Sequence, residues 1–274
     1  YRMKTAAAQP AGGDLASLMQ QRQWAAVARQ ALRLRAQGQL AAAGYTAAGF
    51  AYMQLEEYSR AEAWLRQAAE RDTANDAEIA QLLGKVLYAR CHYVASYACY
   101  AAALRRLEQG KAPVSPGFYR NLLLDSAHGA FLLGQGEKSA DGYLAASARA
   151  QSLADRCSDY SSYLLSLHLT DCPAAGLREA HAGYGALLRE VKPLALPQRL
   201  PHKKLRIGYL SPDFRQHVMF AFLYVLLAAH DKDRFAVYGY QLNTAADGFT
   251  EALRPLADVW REAAGMDYAQ IAQQ

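Results

Sequence analysis

Small and apolar residues recur three and four positions apart along the first two-thirds of the chain, the spacing of amphipathic helices. The pattern is clearest in "AAGYTAAGFAYMQLEEYSRAEAWLRQAAERDTAN", Ala42 to Asn75, where two helical stretches flank a short turn near Glu56 and Glu57. Its markers are Gly49, Tyr52, Ala61, Leu65 and Ala68. Small residues at Gly49 and Ala61 allow a close helix–helix approach, with Tyr52 and Leu65 filling the space around it. A shift of 35 returns the pattern as Gly84, Leu87, Ser96, Tyr100 and Ala103. A further shift of 44 returns it as His128, Phe131, Ala140, Leu144 and Ser147, the larger step being assigned to the Pro/Gly-rich loop "EQGKAPVSPGF", Glu108 to Phe118. Upstream, Trp24, Val27, Ala31 and Leu34 lie 34 residues before Tyr58, Ala61, Leu65 and Ala68. Tyr88, Tyr93, Tyr97 and Tyr100 fall in one unit and read as bulk between Ala-rich helices rather than as a stacking platform.

A repeat near 34 residues with small–aromatic–small markers resembles the tetratricopeptide repeat. It predicts a right-handed stack of helix pairs with a concave face able to hold a peptide or a partner protein. Two more helices are expected after it, over Ser161–Leu169 and Ala174–Val191, the second with Asp171 in its cap region and Pro173 in its first turn. Pro193, Pro197 and Pro201 then make a stiff, extended passage suited to a domain boundary. His168 and His181 lie on these helices and read as structural.

The pattern changes at Leu205. "LRIGYL" is a β-branched and aromatic run that predicts a buried strand, and "SPDFRQH" is a loop. Val218–His230 is too long for most strands and predicts a buried helix. Phe235–Leu242 reads as a second strand, Asn243–Gly248 as a polar loop, Phe249–Leu256 as a helix and "ADVWREA" as a short third strand. Asp267 should cap a last helix. Alternating strands and helices predict a parallel α/β sheet, whose ligand crevice lies at the carboxyl ends of the strands. His217 would sit there just before a helix, where free amides and the helix dipole favour an anion such as a diphosphate. There is no G-x-G-x-x-G dinucleotide fingerprint.

Bulk properties narrow the function classes. The 274 residues are 52% hydrophobic and 20% charged, an ordinary globular balance. The net charge of +5 is not concentrated, since the densest basic cluster is His202-Lys203-Lys204, so no nucleic acid is expected as partner. Cys91, Cys99, Cys157 and Cys172 form no C-x-x-C pair and read as reduced thiols of a cytoplasmic protein. No apolar run spans a bilayer and no signal peptide opens the chain, so no membrane is expected. A first residue of Tyr suggests that the natural N-terminus lies upstream.

"LRIGYLSPDFRQH", the apolar helix after it, "AAHDKDRFAVYGYQL" and "ADVWREAAGMDYAQIAQQ" resemble the N-terminal catalytic lobe of the O-GlcNAc transferase and SPINDLY-like protein glycosyltransferases. "YLLSLHLTD" followed by "EAHAGYG" is similar to that family's segment between repeats and catalysis. The resemblance implies a tetratricopeptide-repeat superhelix (1–156), a helical connector with a proline-rich linker (157–201), and the start of a Rossmann-like lobe of a GT-B-type catalytic region (202–274). It implies an inverting, metal-independent transferase with no cofactor, moving a sugar, GlcNAc from UDP-GlcNAc foremost, onto Ser or Thr of a polypeptide held by the repeats. By the same resemblance His217 matches the family's active-site histidine, with contact to the acceptor hydroxyl or the donor diphosphate, or a general-base role. Ser211, Asp213 and Arg215 share its loop, and Asp213 and Arg215 are expected to brace it. The family usually has Pro after this histidine, and here the residue is Val218. In the family a second lobe supplies most donor contacts, so the 274-residue chain alone is expected to be inactive. The alternative reading is a non-catalytic repeat scaffold with a remnant transferase lobe.

Overall fold

The computed structural model describes residues 14–72, 76–109, 115–189, 191–193, 195 and 203–274. The chain forms two compact units, Tyr1–Glu190 and Val191–Gln274. Pro197, Pro201 and His202 lie outside the described residues, as do 110–114 of the predicted inter-repeat loop.

The first unit is helical. Its elements are α1 (Leu15–Gln20), α2 (Trp24–Ala36), α3 (Ala42–Gln54), α4 (Tyr58–Arg71), α5 (Asp76–Ala89), α6 (Tyr93–Glu108), α7 (Pro116–Leu132), α8 (Gly136–Ser147), α9 (Leu153–Leu167) and α10 (Ala174–Leu187). Each packs on the next in the chain. The predicted markers of the first full unit are buried: Tyr52, Ala61, Leu65 and Ala68. A Cβ placed on Gly49 would lie 2.6 Å from Leu65 Cγ, so the absence of a side chain sets how closely α3 and α4 approach. In the next unit a Cβ on Gly84 would meet the Tyr100 ring at 2.4 Å, and the Ser96 hydroxyl donates to the Gly84 carbonyl at 2.8 Å.

The third unit corrects the predicted register by one residue. His128 is exposed, Phe131 only half-buried and Leu144 41% exposed. The equivalent buried set is Ala127, Ala130, Ser139, Tyr143 and Ala146, a step of 43 rather than 44. Ala140 and Ser147 are also buried, and their small size at both positions concealed the slip. The turns confirm this spacing. Arg22, Glu56, Cys91 and Gly134 all have positive φ, between 54° and 68°. After each, the next amide (Gln23, Glu57, His92, Gln135) donates five residues back, to Leu18, Tyr52, Leu87 and Ala130. This is a Schellman closure, in which a left-handed residue lets the chain cover the last carbonyls of one helix and enter the next.

Charged and polar pairs tie helices together, some of them across an intervening helix. Arg120 on α7 makes a two-pronged bond to Asp159 on α9, at 2.8 and 2.9 Å, and also reaches Asp155. Asp125 on α7 accepts from Gln81 of α5 at 2.7 Å and faces Lys85. Glu62, buried on α4, pairs with both Arg66 and Arg90.

The connector helices differ from expectation at their ends. α9 begins eight residues early, because the Ser152 hydroxyl accepts from the Asp155 amide and caps it. α10 has Pro173 rather than Asp171 at its N-cap position, with no side-chain cap bond, and stops at Leu187.

The second unit holds β1 (Leu205–Ser211), α11 (Met219–Ala228), β2 (Phe235–Gln241), α12 (Gly248–Leu253), a 3-10 turn (Arg254–Leu256), β3 (Val259–Glu262) and α13 (Tyr268–Ala272). The sheet is parallel in the order β1-β2-β3, with Leu205 opposite Phe235 and Tyr238 opposite Val259. Its core is Phe214, Leu223, Leu227, Val237 and Leu253. Asp267 caps α13 through the Gln270 amide, as predicted.

Two predicted burials are corrected. β1 lies at the edge of the sheet among the described residues, with Leu205 65% and Leu210 53% exposed. α11 buries Leu223 and Leu227 but leaves Phe222 and Val225 about two-thirds exposed. Its uniformly apolar sequence gave no cue to which face would be covered.

Gly49→Ala is expected to destabilise the helical unit by about 1–3 kcal/mol through overpacking, despite the better helix propensity of Ala. Gly185 in α10 has open space where a Cβ would go, so Gly185→Ala should stabilise by up to about 1 kcal/mol. Urea unfolding followed by far-UV circular dichroism checks both signs.

Candidate functional site

β1 ends at Ser211, which the sequence pattern places in the loop, and opens into the loop that carries Asp213, Arg215 and His217. The loop is held by contacts from the next strand–helix connection. The Ser211 carbonyl accepts from the Leu242 amide at 3.0 Å, and the Ser211 hydroxyl accepts from the Asp213 amide at 3.0 Å. Phe214 is fully buried, its ring 4.8 Å from that of Trp260. The Phe214 carbonyl accepts from the buried Thr250 hydroxyl at 2.7 Å. Asn243 donates its side-chain amide to the Pro212 carbonyl, and Gln241 links Asn243 to the indole N–H of Trp260.

Asp247 connects the two loops. Its carboxylate accepts from the Gln216 amide at 2.7 Å and from the Phe249 and Thr250 amides at 3.0 Å each. It thus caps α12 and anchors the end of the β1–α11 loop with the same group. The amides, Gln216 first, hold its carboxyl below the usual carboxylate range, because they bond more strongly to the charged form. Asp258 at the start of β3 is lowered in the same way by the Val237 amide at 2.6 Å.

Within this frame the predicted residues take different places. His217 is about one-third exposed. Its Nδ1 accepts from the Met219 amide at 3.2 Å and lies 3.8 Å from Asp213 Oδ2. Its carbonyl accepts from the Phe220 amide at 2.9 Å. Arg215 is exposed and makes no hydrogen bond or ion pair among the described residues. The bracing expected of Asp213 and Arg215 comes mainly from Phe214, Asp247 and Thr250. The free amides expected for an anion at the start of α11 are partly used, since those of Met219 and Phe220 both bond to His217. Sequence reasoning missed Gln241, Asn243, Asp247 and Thr250. The Asp-x-x-Thr capping pattern of "DGFT" signals the helix start but not the crossing to the other loop.

Depressions of the helical unit among the described residues include the following. One, about 390 Å³, is lined by Met19, Thr46, Phe50, Asp72, Glu78 and Leu82, from α1, α3, α5 and the end of α4. Another, about 450 Å³, lies between α9 and α10, where the His168 and His181 rings are 6.5 Å apart beside Leu164, Leu165 and Tyr184. The tyrosine cluster divides: Tyr100 is buried, as its packing role requires, whereas Tyr88 and Tyr93 are more than one-third exposed. The Tyr88 hydroxyl lies 3.2 Å from His128 Nε2. All four cysteines are free, and burial raises the Cys99 thiol above its usual range. Among the described residues no three His, Cys, Asp or Glu side chains group as a metal site, and no helix is long and apolar enough to cross a membrane.

A helical-repeat array followed by a parallel three-stranded α/β unit is thus the class that the fold defines. No family model matches the chain. Over 102 residues it is 29% identical to the tomato (Solanum lycopersicum) protein named "Probable UDP-N-acetylglucosamine--peptide N-acetylglucosaminyltransferase SPINDLY", a stretch covering 35% of this chain and 11% of that protein. In fold it is similar to a point mutant of Thermobaculum terrenum O-GlcNAc transferase, with a TM-score of 0.52 at 19% identity, over 90% of this chain and 43% of that one. The C-terminal part of a TPR repeat-containing protein of Cytophaga hutchinsonii gives a TM-score of 0.33 at 14% identity, over 64% of this chain and 78% of that one. The resemblance to the O-GlcNAc transferase and SPINDLY group is therefore found again, in a partial sequence match and in the fold. The chain spans about a tenth of the curated relative and less than half of the solved one.

Asp247→Ala is expected to speed hydrogen exchange at the Gln216 and Thr250 amides severalfold, because both lose their acceptor. The pH dependence follows from the lowered carboxyl. Its stabilisation is fully present above about pH 4, the unfolded value, and is lost as pH falls through the lower folded value. Acid titration of wild type and Asp247→Asn should show the variant losing less stability below pH 4.

Proposed function

We propose that this chain is the repeat-bearing part and the start of the catalytic region of a protein O-glycosyltransferase of the O-GlcNAc transferase and SPINDLY type. The observation that carries the reading is that one fold likeness covers 90% of the chain and takes in both the helical array and the α/β unit. The partial sequence match to a SPINDLY protein supports it independently. On this reading the three-stranded sheet is the first portion of a Rossmann-like lobe in a GT-B-type catalytic region. The β1–α11 loop faces the cleft for a nucleotide-sugar, UDP-GlcNAc foremost, and transfer is inverting and metal-independent. The depressions of the helical unit then serve polypeptide acceptors, and the protein works in the cytoplasm. The competing reading, a non-catalytic repeat scaffold, rests on the same helical array without a role for the loop.

The purified 274-residue chain is expected to transfer no sugar, since the solved relative is more than twice as long. Detectable transfer by that chain, read by mass spectrometry of acceptor peptides, would contradict this. In a protein that includes the remaining catalytic region, His217→Ala should lower kcat by about 10²-fold or more, the cost of losing one preorganised polar group. Its thermal midpoint should stay close to wild type, because the ring is not part of the buried core. Unchanged turnover removes His217 from the chemistry, whereas absence of transfer by the longer wild-type protein favours the scaffold reading.

A further inference from the structure

The geometry points to His217 as a hydrogen-bond donor through Nε2–H, and not as the group that takes the acceptor's proton. The inference deepens the transferase reading and rests on it for the identity of the ligand, but not for the state of the ring. A backbone N–H can only donate. The Met219 amide meets Nδ1 at 3.2 Å, so Nδ1 must present its lone pair. In a neutral imidazole the proton then sits on Nε2.

The competing partner at Nδ1 is the Asp213 carboxylate, which would favour a proton there. It stands at 3.8 Å, beyond a hydrogen bond, with its own backbone amide tied to the Ser211 hydroxyl. The amide prevails because its place is fixed. Met219 is the first residue of α11, and the Phe220 amide bonds the His217 carbonyl, so two successive amides grip the same residue. Phe214 and Asp247 hold the loop on its other side.

The consequence concerns the ligand. A side chain that is about one-third exposed and whose Nδ1 is occupied leaves Nε2–H as its donor, with no partner among the described residues. That donor suits an oxygen that carries or gains negative charge, such as one on the diphosphate of a nucleotide-sugar. It does not suit a hydroxyl that must lose its proton to the ring. The acceptor's proton therefore leaves by another route.

The test is a long-range ¹⁵N–¹H correlation spectrum of the histidine-labelled chain, recorded where the ring is neutral. A pyrrole-type Nε2 and a pyridine-type Nδ1 at His217 are expected, and the same pattern should persist in Asp213→Ala. A protonated Nδ1 in wild type, or a tautomer that changes in Asp213→Ala, overturns the inference. In the longer, active protein, His217→Gln places a side-chain N–H near the position of Nε2. It should recover at least about tenfold of the kcat lost in His217→Ala. Equal loss in both variants, with the expected tautomer, overturns the donor role. If wild type transfers no sugar, the transferase reading fails while the spectrum still decides the state of the ring.

Discussion

Two helices can approach no closer than the smallest side chain between them allows, and the helical unit depends on that limit. At Gly49 and Gly84 there is no side chain, and Leu65 and Tyr100 occupy the space directly. In the third unit Ala127 and Tyr143 hold the corresponding places, both buried. The large residue lies sixteen positions after the small one each time. That interval is set by one helix, one left-handed residue and the first turns of the next helix. The Schellman closure fixes where the second helix starts, and the small–large contact fixes how deeply it sits.

The α/β unit is organised on another principle. Here the loop after the first strand is positioned by polar groups of the following connection. Asp247 and Thr250 each serve two tasks, completing a helix start and holding the β1–α11 loop. A helix cap is cheap to form locally, because its donors would otherwise be unpaired. Extending it across to a second loop gives the site rigidity without a larger core. The exposed Phe222 and Val225 on the outer face of α11 contribute nothing to this arrangement within the unit, whose core takes Leu223, Leu227 and the partly buried Phe220 from that helix.

Much of the fold was legible because periodicity and punctuation agreed. The three strands and the Asp267 cap were marked by residues whose conformational preferences are strong, and the turn near Glu56 by the break between two helical periods. The misses share a cause. Ala and Ser are small at many positions in α7 and α8, so a one-residue slip in register changed little in the pattern. "LRIGYL" carries the composition of a buried strand, and only the sheet order reveals that one side of it is open among the described residues. His217 was found from its position at a strand end. Its orientation was not, since the ring's partner is a backbone amide that sequence does not distinguish. Asp247 was invisible as a site residue because its second bond spans 31 positions.

The spacing of the left-handed turns bears on how such a chain can change length. Within a unit the interval from small to large residue stays at sixteen, whereas the steps between units are 34, 35 and 43. The longest step contains residues 109–115, part of the Pro/Gly-rich stretch Glu108–Phe118, which fall between the end of α6 and the start of α7 and so outside both helix pairs. Insertions are thus sorted by position. One that falls inside a pair would rotate the second helix and bury the wrong face, whereas one between pairs is extruded as a loop. Length variation in this array should therefore gather at every second turn, leaving the pairs themselves as units of inheritance.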